Sequence, residues 1–195
     1  MTIDSVPVAA SRPRSRLRVR IVVATLAAVG FTALAWASWV SPLPRLTYNP
    51  TDSVAVGWYR IEPLDHRAAS LLRPLSVDSI VLVPLPVDAA ALAAQRGYLP
   101  TRVPLLKRIG AVAPQKVCIA RGIVRIDGVP SAVVLRADRL GRPLPFWQQC
   151  RRLEPGEVFL LSVTNPASFD SRYFGPVAAS DVIGVAHPVW LKARR

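Results

Sequence analysis

From Ile21 to Val40 the chain reads IVVATLAAVGFTALAWASWV, without one charge, and the uncharged stretch continues through Pro44 until Arg45. In a helix, about 20 such residues at 1.5 Å each span roughly 30 Å, the thickness of a bilayer core. A helix packed on a globular core keeps a polar face, and this window has none. Before it stand Arg12, Arg14, Arg16, Arg18 and Arg20 against a single acid, Asp4. That asymmetry places the N-terminus in the cytoplasm and everything after Val40 outside. Trp36 and Trp39 lie near the far end, where amphipathic rings favour the membrane interface. The competing reading is a cleavable secretory signal, since Ala35-Trp36-Ala37 resembles a small-x-small cleavage site. The apolar run is longer than the core of such signals, which favours a retained anchor. The expected organisation is a basic tail over 1–20, a transmembrane helix over 21–40 and an exported domain over 41–195.

The remaining length is ample for a hydrophobic core, which excludes a small disulfide-stapled scaffold. The net charge of the whole chain is +13. Without the five arginines and one aspartate of residues 1–20, 20 basic residues face 11 acidic ones, a net of +9. They are scattered, with doublets only at Lys107-Arg108, Arg151-Arg152 and Arg194-Arg195, so a nucleic-acid partner is not expected. A solvated surface facing anionic membrane lipid fits better. Two cysteines and two histidines are too few for a zinc cluster, and no phosphate-loop or dinucleotide glycine pattern occurs. Neither a metal nor a cofactor is expected.

The exported part reads as mostly β. Strands are expected at Ser79–Leu85, Val103–Val112, Lys116–Ala120, Gly122–Ile126, Val129–Leu135, Glu157–Val163 and within Val182–Leu191. Asp127-Gly128 is a hairpin turn signal. Asp88–Arg96, with a capping aspartate and a following glycine, predicts one short helix. Ala137–Cys150, rich in Gly, Pro and charge, reads as a loop. The fold class is therefore mainly β, an antiparallel domain preceded by one transmembrane helix.

Few residues can carry chemistry. His66 lies in a charged turn and His187 in a C-terminal strand before Pro188, and neither suits a Ser-His-Asp triad. The lysines say more. Only Lys107, Lys116 and Lys192 occur against 22 arginines. Arginine cannot lose its proton in a protein, whereas a desolvated lysine can. Alternation in the expected strand puts Val103, Leu105, Lys107, Ile109 and Ala111 on one face. An ammonium among aliphatic groups loses hydration, so its pKa falls toward neutrality, as a general base requires. The alternative is that Lys107 snorkels at a strand edge. A serine hydroxyl is a poor nucleophile until a base takes its proton. Ser53 follows the anchor closely, where it would meet membrane-attached or emerging substrates; alone, it reads equally as a loop or strand residue.

Three segments together carry a resemblance. Asn49-Pro50-Thr51-Asp52-Ser53-Val54-Ala55-Val56-Gly57-Trp58-Tyr59 resembles the nucleophile box of type I signal peptidases, especially the conjugative-transfer TraF branch. Leu105-Leu106-Lys107-Arg108-Ile109 resembles that family's lysine box. Ser168-Phe169-Asp170-Ser171-Arg172-Tyr173-Phe174-Gly175-Pro176-Val177 resembles its C-terminal signature, the most specific of the three. Order, spacing and the preceding anchor agree, over Ile21 to Leu191. One departure is Ala55, where TraF-like members usually carry proline; it touches loop rigidity rather than the chemistry. The resemblance implies a signal-peptidase-like β domain and a serine endopeptidase with Ser53 as nucleophile and Lys107 as general base. Ser168 would orient Lys107, and the Ser53 N–H, with help from the Thr51 hydroxyl, would form the oxyanion hole. Asp170 and Arg172 would form a charge pair that holds the site, with a more direct role for the aspartate as the other reading. The implied substrates are precursors with signal peptides or a pilin precursor, hydrolysed or cyclised, at a bacterial inner membrane with the catalytic domain in the periplasm.

Cys118 and Cys150 lie beyond the anchor, in an oxidising compartment, and form an even pair. They are expected to bridge, enclosing the Gly122–Leu135 hairpin and its loop; a thiol catalyst is the other reading. Two rivals to the peptidase remain. A non-catalytic, anchored β domain in pilus or secretion assembly explains the anchor and strands but not the three boxes. A self-cleaving Ser/Lys repressor would need a DNA-binding module where the bilayer span stands. A retained anchor predicts that the protein keeps its full-length mass in membranes and resists carbonate extraction. A mature form shortened at Ala37 would identify a cleaved signal instead.

Overall fold

The computed structural model describes residues 14–40, 45–64 and 75–192. The chain divides into two units, Met1–Leu43 and Pro44–Arg195. In the first, one helix, α1, runs from Arg14 to Val40. It starts before Ile21, so Arg14 to Arg20 are helical as well. Arginine is a good helix former, and nothing in this segment breaks the backbone pattern. The window Arg18–Trp36 is long and apolar enough to cross a membrane, and none of it is buried by protein. Its apolar side chains, among them Leu26, Phe31 and Trp36, are all exposed.

The second unit is built from antiparallel strands. A seven-stranded sheet has the order β1-β2-β11-β3-β4-β9-β10. The strands are β1 (Arg45–Asn49), β2 (Gly57–Pro63), β3 (Ile80–Val83), β4 (Leu105–Val112), β9 (Glu157–Leu160), β10 (Val177–Ala178) and β11 (Gly184–Leu191). A second, four-stranded sheet has the order β7-β6-β5-β8. It is formed by β5 (Lys116–Ala120), β6 (Ile123–Ile126), β7 (Val129–Val133) and β8 (Cys150–Arg152). The mainly antiparallel β domain expected from the sequence is thus what the chain forms.

The physical causes are local and then tertiary. In β2, Tyr59 and Ile61 are buried while Trp58, Arg60 and Glu62 are exposed, the period-two pattern of a sheet with one wet face. The turn between β6 and β7 has positive φ at both Asp127 (49°) and Gly128 (86°), the left-handed pair that a two-residue hairpin needs. Gly57, at φ 152°, is required for a different reason. A Cβ there would lie 2.2 Å from the Trp190 carbonyl oxygen, so only glycine lets β2 and β11 pair at this point.

β4 is the strand that most affects the site. It pairs with β3 on one side and β9 on the other, with a register shift between Ile109 and Ala111. Leu105 and Ile109 pack with Val81, Val83 and Leu160 in one core cluster, whereas Leu106 packs in another with Val54, Tyr59 and Leu82. The strand is therefore covered on both faces around Lys107, not only on the face that alternation selects. Val103 lies outside the strand and is exposed.

Two short helices complete the unit. α2 spans Val87–Gln95, with Pro86 at the N-cap and Asp88 inside the first turn. The aspartate therefore supports the helix through the dipole rather than as its cap. α3 is a single turn, Ser171–Phe174, capped by the Asp170 side chain. The segment after Ala137 is irregular until Cys150, which opens β8 rather than ending a loop.

Cys118 and Cys150 face each other across the β5–β8 pair and are joined by a disulfide. It closes a loop of sequence separation 32 that contains the β6–β7 hairpin. Restricting a loop of that length in the unfolded chain corresponds to about 4 kcal/mol in the chain-entropy model. The double variant Cys118→Ser/Cys150→Ser should accordingly lose about 2–4 kcal/mol in denaturant unfolding. Two freely titrating thiols in the native exported protein would refute the bridge.

Candidate active site

Between β1 and β2, residues 50–56 form a loop organised by one buried side chain, Asn49. Its Oδ1 accepts from the Thr51 N–H (3.3 Å) and the Thr51 hydroxyl (3.0 Å). Its Nδ2 donates to the carbonyls of Thr51 (2.6 Å), Val54 (3.2 Å) and Ala55 (3.2 Å). An asparagine can span a turn this way because it carries both a donor and an acceptor. The Tyr59 hydroxyl donates to the Ala55 carbonyl at 2.6 Å and fastens the other end. From across the sheet, Ser162 Oγ donates to the Ser53 carbonyl (2.9 Å) and Thr164 Oγ1 to the Asp52 carbonyl (3.1 Å). Asn165 Nδ2 donates to the Asp52 carboxylate.

Ser53 is held at the centre of this loop, 8% exposed. Its Oγ lies 3.1 Å from Thr51 Oγ1. The Thr51 hydroxyl hydrogen is committed to Asn49, whose amide orientation is fixed by its three carbonyl acceptors, so Ser53 is the donor in this contact. The Ser53 backbone N–H has no hydrogen-bond acceptor among the described residues.

Lys107 is 4% exposed, opposite Val81 in the β3–β4 pair. Its Nζ donates to Ser168 Oγ. Loss of hydration is the largest influence on the amine and lowers its pKa from 10.5 to about 8. Asp170 opposes the shift, Arg172 adds to it, and Asp52 opposes it least. No hydrogen bond joins Ser53 to Lys107 directly among the described residues. The two line the same cavity, of about 900 Å³, together with Thr51 and Ser168.

Ser168 belongs to a loop stiffened by a buried ion pair. Asp170 and Arg172 are both completely buried. Arg172 Nε donates to Asp170 Oδ1 (2.7 Å) and Nη2 to Oδ2 (2.9 Å), the bidentate geometry that suits a guanidinium and a carboxylate. Arg172 also donates to the carbonyls of Val133 (2.7 Å), Pro166 (3.0 Å) and Ser168 (2.9 Å). Asp170 further accepts from the backbone N–H of Ser162 (2.9 Å) and of Arg172 (3.2 Å). Every strong group of the pair is therefore satisfied, the condition under which buried charge is tolerated.

A signal peptidase model, peptidase S26, matches residues 18–191. The chain belongs to the S26 signal peptidase family. Its relatives place it in the TraF-like branch. It is 32% identical over 200 residues to a probable conjugal transfer protein TraF of Sinorhizobium fredii (strain NBRC 101917 / NGR234), covering 97% of each chain. It is 31% identical over 186 residues to a plasmid transfer protein TraF of Escherichia coli, covering 92% of this chain and 98% of that one. With the conjugal transfer protein TraF of Agrobacterium fabrum (strain C58 / ATCC 33970) the identity is 37% over 152 residues, 73% of this chain and 80% of the relative. A crystal structure of a signal peptidase I from Enterococcus faecalis V583 aligns at 22% identity with a TM-score of 0.37, covering 60% of this chain and 98% of that chain.

For this member of the S26 family the structure brings Thr51, Ser53, Lys107 and Ser168 to one cavity, with Asp170 and Arg172 packed behind it. His187 lies apart, 3.0 Å from the exposed Glu62 carboxylate. His66 lies outside the described residues. Sequence reasoning missed Asn49, Ser162 and Asn165. Asn49 had a signal, since asparagine before proline initiates turns. Ser162 had one too: alternation along β9 continues Val158 and Leu160 into Ser162, and a buried hydroxyl needs a partner.

Removing one member of the buried pair strands the other. Arg172→Met is expected to lower unfolding stability by about 3–5 kcal/mol, against 1 kcal/mol or less for Arg108→Met, whose pair with Asp78 is exposed. Chemical denaturation of the two variants side by side checks this.

Proposed function

We propose that this protein is a membrane-anchored serine endopeptidase in which Ser53 is the nucleophile and Lys107 the general base. The observation that carries the reading is a buried amine of lowered pKa in the wall of the same cavity as a serine whose backbone N–H has no acceptor among the described residues. Neutral Lys107 keeps two N–H groups, one for Ser168, and offers its lone pair to Ser53. Ser53 Oγ leaves Thr51 by rotation about its Cα–Cβ bond and gives its proton to Lys107 as it attacks the scissile carbonyl carbon. The oxyanion takes the Ser53 N–H. Thr51 contributes its hydroxyl only after releasing Asn49. The C–N bond breaks, the leaving amine receives the proton from Lys107, and an ester to Ser53 remains. Water, deprotonated by Lys107, then attacks the ester; the carboxylic product departs and Ser53 regains its proton. If an amine of the same substrate attacks instead of water, the product is a cyclic peptide.

The substrates are precursor proteins with signal peptides or a pilin precursor. The names of the TraF relatives support a setting in conjugative transfer. The arginines from Arg12 to Arg20, ahead of the apolar run that begins at Ile21, support an N-terminus in the cytoplasm and a periplasmic catalytic domain at the inner membrane.

Incubation with a signal-bearing precursor in detergent tests the dyad. Ser53→Ala and Lys107→Met should each abolish cleavage with the fold intact. Because only the neutral amine accepts a proton, kcat/KM should rise with pH through an apparent pKa of about 8 and level off above it. Lys107→Met should also unfold at higher denaturant at pH 7. There the native state holds an ammonium that burial disfavours, by up to about 3 kcal/mol. That cost fades as pH rises from the folded pKa toward the unfolded one. Full activity in either variant sinks the dyad. A wild type that cleaves no such precursor leaves the anchored assembly role in its place.

A further inference from the structure

The cavity that holds Ser53 and Lys107 extends to the loop after α2 and to the irregular segment that follows β7. Four cations and two acids line it: Arg96, Lys107, Arg139 and Arg142 against Asp52 and Asp138. The two acids are engaged. Asp138 accepts from Arg142 Nε (2.6 Å), from the Tyr98 hydroxyl and from the N–H groups of Leu140 and Arg142, and Asp52 accepts from Asn165. Arg142 is thereby neutralised, and its Nη2 is spent on the Arg96 carbonyl (3.2 Å).

Arg96 is different. Its guanidinium makes no hydrogen bond or ion pair with any described residue, and its Nη1 is shut off from water without a partner. The residue is half-buried. A guanidinium that is partly dehydrated and has no counter-charge among the described residues is unfavourably placed. A carboxylate in the cavity meets the part of Arg96 that lines it, rather than the enclosed Nη1, and supplies the guanidinium with a counter-charge.

We propose that Arg96 forms a carboxylate subsite of the substrate cavity, so that the preferred peptide carries an acidic group away from the scissile bond. The carboxylate is either an acidic side chain or the free C-terminus of the substrate. The inference rests on the proposed peptidase reading for its biological meaning, but its test does not need turnover.

The test uses the full-length Ser53→Ala protein in detergent and alanine-based hexapeptides, because signal cleavage sites are lined with small residues. One glutamate is walked through the six positions, each peptide is paired with its glutamine counterpart, and each is made with a free or an amidated C-terminus. Binding is read by calorimetry. Loss of a charge-assisted bond predicts about 10- to 100-fold weaker binding when the responsible carboxylate becomes an amide. Discrimination at one glutamate position assigns a side chain; discrimination between free and amidated termini assigns the C-terminus. In Ser53→Ala/Arg96→Gln the discrimination should vanish, and Arg96→Lys should restore part of it. Equal binding of acid and amide peptides, no binding of any peptide, or discrimination that survives Arg96→Gln overturns the subsite. Failure of the peptidase reading shows separately, as wild-type protein that binds these peptides and cleaves no precursor.

Discussion

The buried pair of Asp170 and Arg172 is the interaction on which the rest of the site depends. Neither group touches water, so each must find all its partners in protein, and it is this demand that shapes the surroundings. The guanidinium gathers the carbonyls of Val133, at the end of β7, and of Pro166 and Ser168, in the loop before Asp170, and so ties two distant stretches of chain together. The carboxylate caps α3 and binds the N–H of Ser162. Through Ser162 Oγ the same network reaches the Ser53 carbonyl, and through the loop it fixes Ser168 against Lys107. An apolar cluster of equal volume could stabilise this region as well, but it could not orient a hydroxyl and an amine.

Lys107 is placed by a different constraint, the strand itself. β4 is sandwiched between β3 and β9, and its neighbours on the same face are Leu105 and Ile109. The backbone gives the side chain one direction to point, and packing on both faces keeps water away. The lowered pKa follows mainly from that exclusion, with Arg172 adding to it and the two aspartates pulling the other way. A surface lysine at the same distance from Ser168 would stay charged at neutral pH.

The sequence alone showed much of the frame. The apolar run fixed a helix fit for a bilayer, and β3, β4, β5, β6, β7, β9 and β11 fall where β-branched runs and turn residues put them. The strands it did not mark have physical reasons. β1 and β2 flank a loop whose Pro and Asp interrupt the pattern, and the Asn49-Pro50 turn signal between them does not show that the flanking segments pair. β8 has only three residues, and it is a strand because β5 lies beside it and the disulfide ties them. α2 was found, but its cap was not, because Pro86 rather than Asp88 starts the first turn.

For the site the division is sharper. Residue types and motif order determined which serine, which lysine and which acid–base pair to consider, because few residues in an arginine-rich chain can change charge near neutral pH. They also determined that an uncharged helix precedes a β-rich domain, since periodicity and length are local properties. The tertiary structure alone decided that Asn49, Ser162 and Asn165 hold the Ser53 loop, that Thr51 is bonded to Asn49, and that Arg96 has no counter-charge among the described residues. Those facts depend on residues that meet only after the sheets have formed. A polar side chain in a loop carries no periodic signal of the partner it will find across the fold.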